Sequence, residues 1–411
     1  MMIKRAMEFW RIFSAAPHRM MFFAGIVQAL IAVAWWLVDL GGRMSGFYAP
    51  STWSLSPLDA HAFLMIYGLF PLFIFGFLMT TYPRWMNGEA VQRQHYVIAF
   101  SLLMAGMVLF YAALHDATWL APAAAGFLVG WAIALYALLR VYWRARHPDK
   151  LHARITSTVL ALGWMLAAAW FGGELSGNAG LVTLARAGGI WFLLLPVFFA
   201  VSHRMIPFFS STVIPGYQIV RPYWALGAMT FGSLMHGIME VAGLHPWLWL
   251  IDIPMAGIAL YLTLSWRLSA SLRVPLLAML HIGFAWLWIA LCLYAAQSLW
   301  WLLSGIPMLG RAPLHALVVG YFSSMVLGMV TRVTLGHSGR SLAADRLTWG
   351  IFLAFQSVAL LRILAELPGI GFPVQGYLYL VAGLIWMACF GLWALHFAPI
   401  YWRPRLDGKP G

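Results

Sequence analysis

The sequence is poor in charge, and poorest in acid. Only 9% of its 411 residues are Asp, Glu, Lys or Arg, and only 12 are acidic. A soluble domain carries about a quarter charged residues, so a water-exposed fold is excluded. Cysteine is nearly absent. Cys292 and Cys389 both lie in apolar runs without CxxC spacing, which excludes a disulfide framework. No acid falls near the middle of an apolar run. This counts against a twelve-helix secondary transporter or proton pump, which places ionisable groups near the membrane midplane. No two histidines are adjacent. That counts against a respiratory haem–copper oxidoreductase, whose copper site uses such a pair.

What is abundant is apolar surface. Hydrophobic residues make up 63% of the chain, and the mean hydropathy is +0.83. Runs of about 20 apolar residues, enough to cross a bilayer, recur at 20–40, 58–82, 95–115, 119–143, 154–173, 182–203, 222–242, 247–266, 275–297, 313–334, 346–367 and 374–400. The breaks between them carry turn residues, among them Gly41-Gly42, Asn87-Gly88, Pro215-Gly216 and Pro368-Gly369. The expected fold is all-α, a polytopic integral membrane protein with twelve transmembrane helices in one domain over 1–411. The first run is expected to act as an uncleaved first helix.

The basic residues test that count. With the N-terminus placed in the cytoplasm and the sides alternating, the inner segments hold Lys and Arg from Lys4 to Lys409. Only Arg43, Arg186, Arg311 and Arg362, of 25 basic residues, stay outside. This is the bias of the positive-inside rule, and one merged or split helix would spoil it. Both termini are therefore expected in the cytoplasm of a bacterial inner membrane. The net charge of +13 follows from the same bias, so the expected partner is the lipid bilayer and not nucleic acid.

Histidines stand out in this setting, because an ionisable ring is costly inside a membrane and neutral imidazole is the commonest metal ligand. His61 and His315 each open an inward-running span with His-Ala, so both lie near the outer surface at similar depth. The two spans share a weak internal similarity. Met65 lies four residues after His61, on the same helix face. Thioether and imidazole together suit haem iron or Cu(I), although most of the 22 methionines must be packing residues.

His203, His281 and His337 form an inner layer, with Arg204 and Arg332 at that depth. The guanidinium groups suit haem propionates, or are ordinary loop charge. His236 lies in the outer half of its helix. His18, His95, His147, His152, His245 and His396 read as solvated or interfacial, and His115 as no more than that.

Five stretches carry a family resemblance. They are HRMMFFAGIVQALIAVAWWL, HAFLMIYGLFPLFIFGFLMTTYPRW, RMIPFF, LHIGFAWLWIALCLYA and HALVVGYFSSMVLGMVTRVTLGHSGR, in order from about residue 18 to 340. Together they resemble the NnrS family, haem- and copper-containing membrane proteins of the bacterial nitric oxide response. The resemblance implies a haem, b-type, with copper as a second metal. It implies nitric oxide or a related small ligand bound or turned over at histidine-ligated metal. It leaves open whether the chain is an enzyme. There is one departure. The family's second helix opens HAHEM, whereas here Phe63 and Leu64 stand where the second histidine and the glutamate would be. His61, Met65, His315 and His281 remain as metal ligands. His203, His337, Arg204 and Arg332 remain as cofactor contacts.

Overall fold

The computed structural model describes residues 2–408, and Lys409 lies outside them. Among the described residues the chain is helical throughout, with no strand. The helices are α1 Met2–Phe13, α2 Pro17–Met44, α3 Pro57–Trp85, α4 Arg93–Ala113, α5 Ala117–Arg144, α6 Leu151–Ser176 and α7 Ala179–Ser211. There follow α8 Tyr223–Val241, α9 Trp249–Ser265, α10 Pro275–Ser304, α11 Ala312–His337, α12 Arg346–Leu364 and α13 Phe372–Trp402.

Ten of these are long and apolar enough to cross a membrane, the architecture of a multi-pass membrane protein. The other two expected spans are present as helices of 19 residues in α8 and 17 in α9. The sequence reading did not place α1. Lys4, Arg5, Glu8 and Arg11 break its apolar content, so it cannot look like a span. It is tied down by Phe13, whose ring packs on Phe23 at 5.5 Å and Phe100 at 6.1 Å.

Helix ends follow local chemistry. Proline opens α2 and α10 at the first helical position, where its missing N–H costs nothing. Asn178 caps α7 by accepting from the backbone N–H of Gly180 and Leu181, and Asp345 caps α12 by accepting from Thr348. Gly177 and Gly305 end α6 and α10 at φ +69° and +79°, where a side chain would be strained.

Three helices form the centre. Over their most apolar stretches α3, α7 and α11 are 89, 83 and 83% buried, against 33% for α12 and 28% for α13. Each central helix gives one ring to a shared contact. Phe70 lies 5.6 Å from Phe198 and 5.8 Å from Phe322, and Phe198 lies 4.7 Å from Phe322.

Each central helix also changes winding. Leu64–Leu69, Gly189–Leu194 and Ala316–Ser323 are π-helical, with backbone bonds to the fifth residue back. Such turns are rare and gather at functional sites. The weak similarity of the His61 and His315 spans therefore has a structural counterpart, and α7 shares it. The close packing around these turns needs glycine. A Cβ on Gly189 would lie 2.5 Å from Ile66 Cγ2, and one on Gly320 would lie 2.6 Å from the Trp286 ring.

The polar contacts separate into two ends. Asp39–Arg43, Asp59–Arg186 and Arg362–Glu366 pair at one end. Glu89–Arg144, Asp345–His396 and Arg405–Asp407 pair at the other. The first group holds residues assigned to the outer side by charge, and the second those assigned to the inner side.

Candidate functional site

At the end that holds Asp39, Asp59 and Glu366, expected from the charge bias to face outward, a cavity of about 300 Å³ opens between α2, the three central helices, α12 and α13. Its walls come from all three π-helical turns: Met65 and Ile66, Ile190, and Val318, Val319 and Ser323. His61 and His315 both line it, as do Arg186, Arg311 and Arg362. The fourth basic residue of the outer side, Arg43, lies over the face of Trp36 at 5.2 Å, and Trp36 also lines the cavity. All four exceptions to the charge bias thus gather around one site.

Each imidazole is held in a definite way. The His61 ring stacks on Trp36, with centroids 4.1 Å apart and planes 13° apart. Its Nδ1 is buried without a hydrogen-bond partner among the described residues. His315 Nδ1 donates to the Arg311 carbonyl at 2.9 Å, which leaves its Nε2 lone pair free to accept. Arg362 Nη2 donates to that nitrogen at 3.1 Å. A ring nitrogen held by a backbone carbonyl fixes the tautomer as in a metal-ligating histidine, and here Arg362 occupies the other nitrogen.

The arginines are held in turn. Arg186 donates to Asp59 at 2.9 Å. Arg362 lies 3.7 Å over the Tyr379 ring, and the Tyr379 hydroxyl donates to Glu366 at 2.6 Å. Arg311 is exposed, and no ion pair holds it among the described residues. The cavity therefore joins apolar walls to a surplus of positive charge.

The inner candidates do not converge in this way. His203 donates from Nε2 to the Pro222 carbonyl at 3.0 Å, and its Nδ1 lies 3.0 Å from His152 Nε2. Arg204 donates to the Trp85 carbonyl nearby at 3.3 Å. His281 is bonded to Ser210 at 2.9 Å, and Arg332 lies 3.9 Å over the adjacent Phe209 ring. His337 ends α11 beside Arg84 at 3.5 Å, with the His18 ring 4.8 Å away. These are three groups with no contact in common. Among the described residues no cluster of three or more His, Cys, Asp or Glu is placed to hold a metal ion.

Several sequence expectations need correction. His18 and His152 are not solvated, since only 3% and 1% of each is exposed. Their backbone ranges lie near loops, but neighbouring helices close over the rings. Asp252, in the first turn of α9, is fully buried against His236 at 2.7 Å. Met325 and Met329, on the helix of His315, line a separate small apolar cavity with Phe77 and Val197. Arg186, Arg311, Arg362, Trp36 and Tyr379 line the cavity and were not among the expected site residues. For the arginines the signal was present, because they were the residues that broke the charge bias.

The departure at position 63 also acquires a location. Phe63 is buried in an aromatic cage, 4.4 Å from Trp170, 4.7 Å from Phe110 and 4.9 Å from Phe171. It does not line the outer cavity.

A model of the NnrS protein family matches residues 12–405, nearly the whole chain. Among curated proteins no match is found. The chain belongs to the NnrS family.

Proposed function

We propose, with that membership as the premise, that the outer cavity is a haem site at which the protein binds nitric oxide or a related small ligand. The observation that carries the reading is the convergence of His61, His315 and three arginines on one cavity. His61 and His315 would supply imidazole nitrogens to the iron, and Arg186, Arg311 and Arg362 would hold the propionates. When bound, haem supplies an iron that takes up diatomic gases.

The chain's own residues prepare the place. The Arg311 carbonyl fixes the tautomer of His315. Trp36 fixes the plane of His61. Arg362 satisfies His315 Nε2 and sits on Tyr379, so it can exchange an imidazole acceptor for a carboxylate.

The charge favours haem over a bare copper ion. A bare cation among several guanidinium groups is repelled, whereas propionates bring compensating negative charge. Copper is the weaker half of the reading. Met65 and His61 both face the cavity and suit Cu(I), but Phe63 closes the position where relatives carry a further histidine. The inner residues His203, His281, His337, Arg204 and Arg332 receive no cofactor in this reading, because they fall in three groups. The propionate role first given to Arg204 and Arg332 moves to the outer arginines.

The reading includes twelve spans, with α8 and α9 crossing as a pair, and cytoplasmic termini in a bacterial inner membrane. The charge bias supports it, as does the separation of ion pairs into two ends. A reporter joined to the C-terminus is expected to be active only in the cytoplasm, and one inserted at Ala242–Leu244 only outside. The opposite result at either place defeats the arrangement.

The cofactor is tested on purified protein expressed with ample haem. The reduced-minus-oxidised spectrum is expected to show a b-type haem, with iron near one equivalent per chain. Nitric oxide added to the reduced protein is expected to move the Soret band. Protein without iron or a Soret band defeats the reading.

A further inference from the structure

The outer end contains a second polar cluster, separate from the cavity and made of different residues. His236 of α8 and Asp252 of α9 are both fully buried. His236 Nδ1 lies 2.7 Å from Asp252 Oδ1. On the other side of the ring, His236 Nε2 lies 3.5 Å from Glu240 Oε2, one turn along the same helix. Glu240 also accepts from Trp191 Nε1 at 2.6 Å. Trp191 stacks on the His236 ring with centroids 3.4 Å apart, and Tyr294 of α10 meets the ring edge-on at 5.2 Å.

Two atoms of this cluster are buried without a hydrogen-bond partner among the described residues, His236 Nε2 and Asp252 Oδ2. Charge bookkeeping accounts for the first. If His236 is neutral, its proton lies on Nδ1 toward Asp252, and the Nε2 lone pair points at a carboxylate oxygen. Asp252 is then a fully buried carboxylate without a counter-charge, since no Lys or Arg pairs with it or with Glu240 among the described residues, and the partly exposed Glu240 faces the other side of the ring. An unpaired buried carboxylate costs several kcal/mol.

A proton on Nε2 changes every contact. The ring becomes an imidazolium between two carboxylates and lies on the electron-rich face of Trp191, which favours a cation. His245, in the short 3₁₀ turn between α8 and α9, also bears on Glu240. Tyr294 is the titratable group contributed by α10.

We infer that Glu240, His236 and Asp252 form a proton-binding site, in which His236 is held as an imidazolium and exchanges its proton with the outer aqueous side through Glu240. The exchange is a simple transfer. The O–H bond of a protonated Glu240 breaks, the Nε2–H bond of His236 forms, and Glu240 is left as a carboxylate. Glu240 suits the outward position because its side chain is 31% exposed, whereas those of His236 and Asp252 are 0% exposed. The inference is independent of the haem reading, since it uses none of the cavity residues.

The test uses full-length protein with ¹⁵N-labelled histidine in lipid nanodiscs. Solid-state NMR reads the imidazole nitrogens, and His236 is assigned by the signals missing in His236→Gln. At about pH 8, where free histidine is neutral, both nitrogens of His236 are expected to be protonated. In Asp252→Asn and in Glu240→Gln the doubly protonated fraction is expected to fall, by about tenfold in the ratio of charged to neutral ring for one pH unit of lost stabilisation. Glu240→Gln carries the test if Asp252→Asn does not fold, because Glu240 is partly exposed. A neutral His236 in the unaltered protein, or a ratio unmoved by both variants, overturns the inference. So does a His236 signal that changes when the protein is treated with a metal chelator, which would place a metal ion where the proton is assigned.

Discussion

Protein carrying both His61→Ala and His315→Ala is expected to purify without haem, while remaining folded and in the membrane. Each imidazole is a direct ligand in the proposed site, so the double variant leaves the iron with no side-chain nitrogen from this cavity. The single variants are expected to keep part of the haem, with altered reduced spectra. Fold loss is not the expected cause. His61 is held chiefly by its stack on Trp36, and His315 by a bond to its own helix and one to Arg362. In His315→Ala the Arg362 side chain retains Glu366 and Tyr379 as neighbours. The pyridine haemochrome yield per chain, read beside a gel-filtration profile, decides the matter. A double variant with full haem and an unchanged spectrum removes this site from consideration.

Gly189→Val is expected to be the most damaging single change among the central helices. A Cβ there meets Ile66 Cγ2 at 2.5 Å and the Tyr67 hydroxyl at 2.8 Å. That hydroxyl donates to the Ala185 carbonyl at 2.6 Å and joins α3 to α7. The substitution therefore overfills a packed core and displaces a buried hydrogen bond. Overpacking costs about 1–3 kcal/mol, and a buried polar group left unpaired about the same. The thermal midpoint in detergent should fall clearly. Gly172→Ala is the matched control, because a Cβ there meets nothing within 4 Å and alanine favours helix. Equal midpoints for Gly189→Val and Gly172→Ala contradict the packing account.

The helices were legible in the sequence because hydropathy marks what a bilayer demands of each segment. All twelve apolar runs coincide with helices. The outer site was half legible. His61 and His315 were visible as rare polar residues at the start of apolar runs. Arg186, Arg311 and Arg362 were visible too, but as exceptions to a topological rule, and a rule about sides says nothing about which loops meet in space. The rest depended on tertiary contact. Nothing local to Asp252 distinguishes a carboxylate at a helix end from one covered by His236. Nor does anything local to His18 show that α11 brings His337 to it. Phe63 could be read as the loss of a histidine, but only packing shows the cage that it fills.

The π-helical turns bear on aim. A helix advances about 100° per residue, so one extra residue in a turn rotates everything before it by about that angle relative to everything after. In α3 and α11 the π turn follows the histidine closely, with Phe70 just after the first turn and Phe322 near the end of the second. The extra residue thus sets the bearing of each ring relative to the stretch of helix that carries Phe70 or Phe322. Length, not composition, sets the bearing of these two side chains. A single-residue deletion in Leu64–Leu69 or Ala316–Ser323 would leave every ligand present in the chain and point one of them about a quarter-turn away.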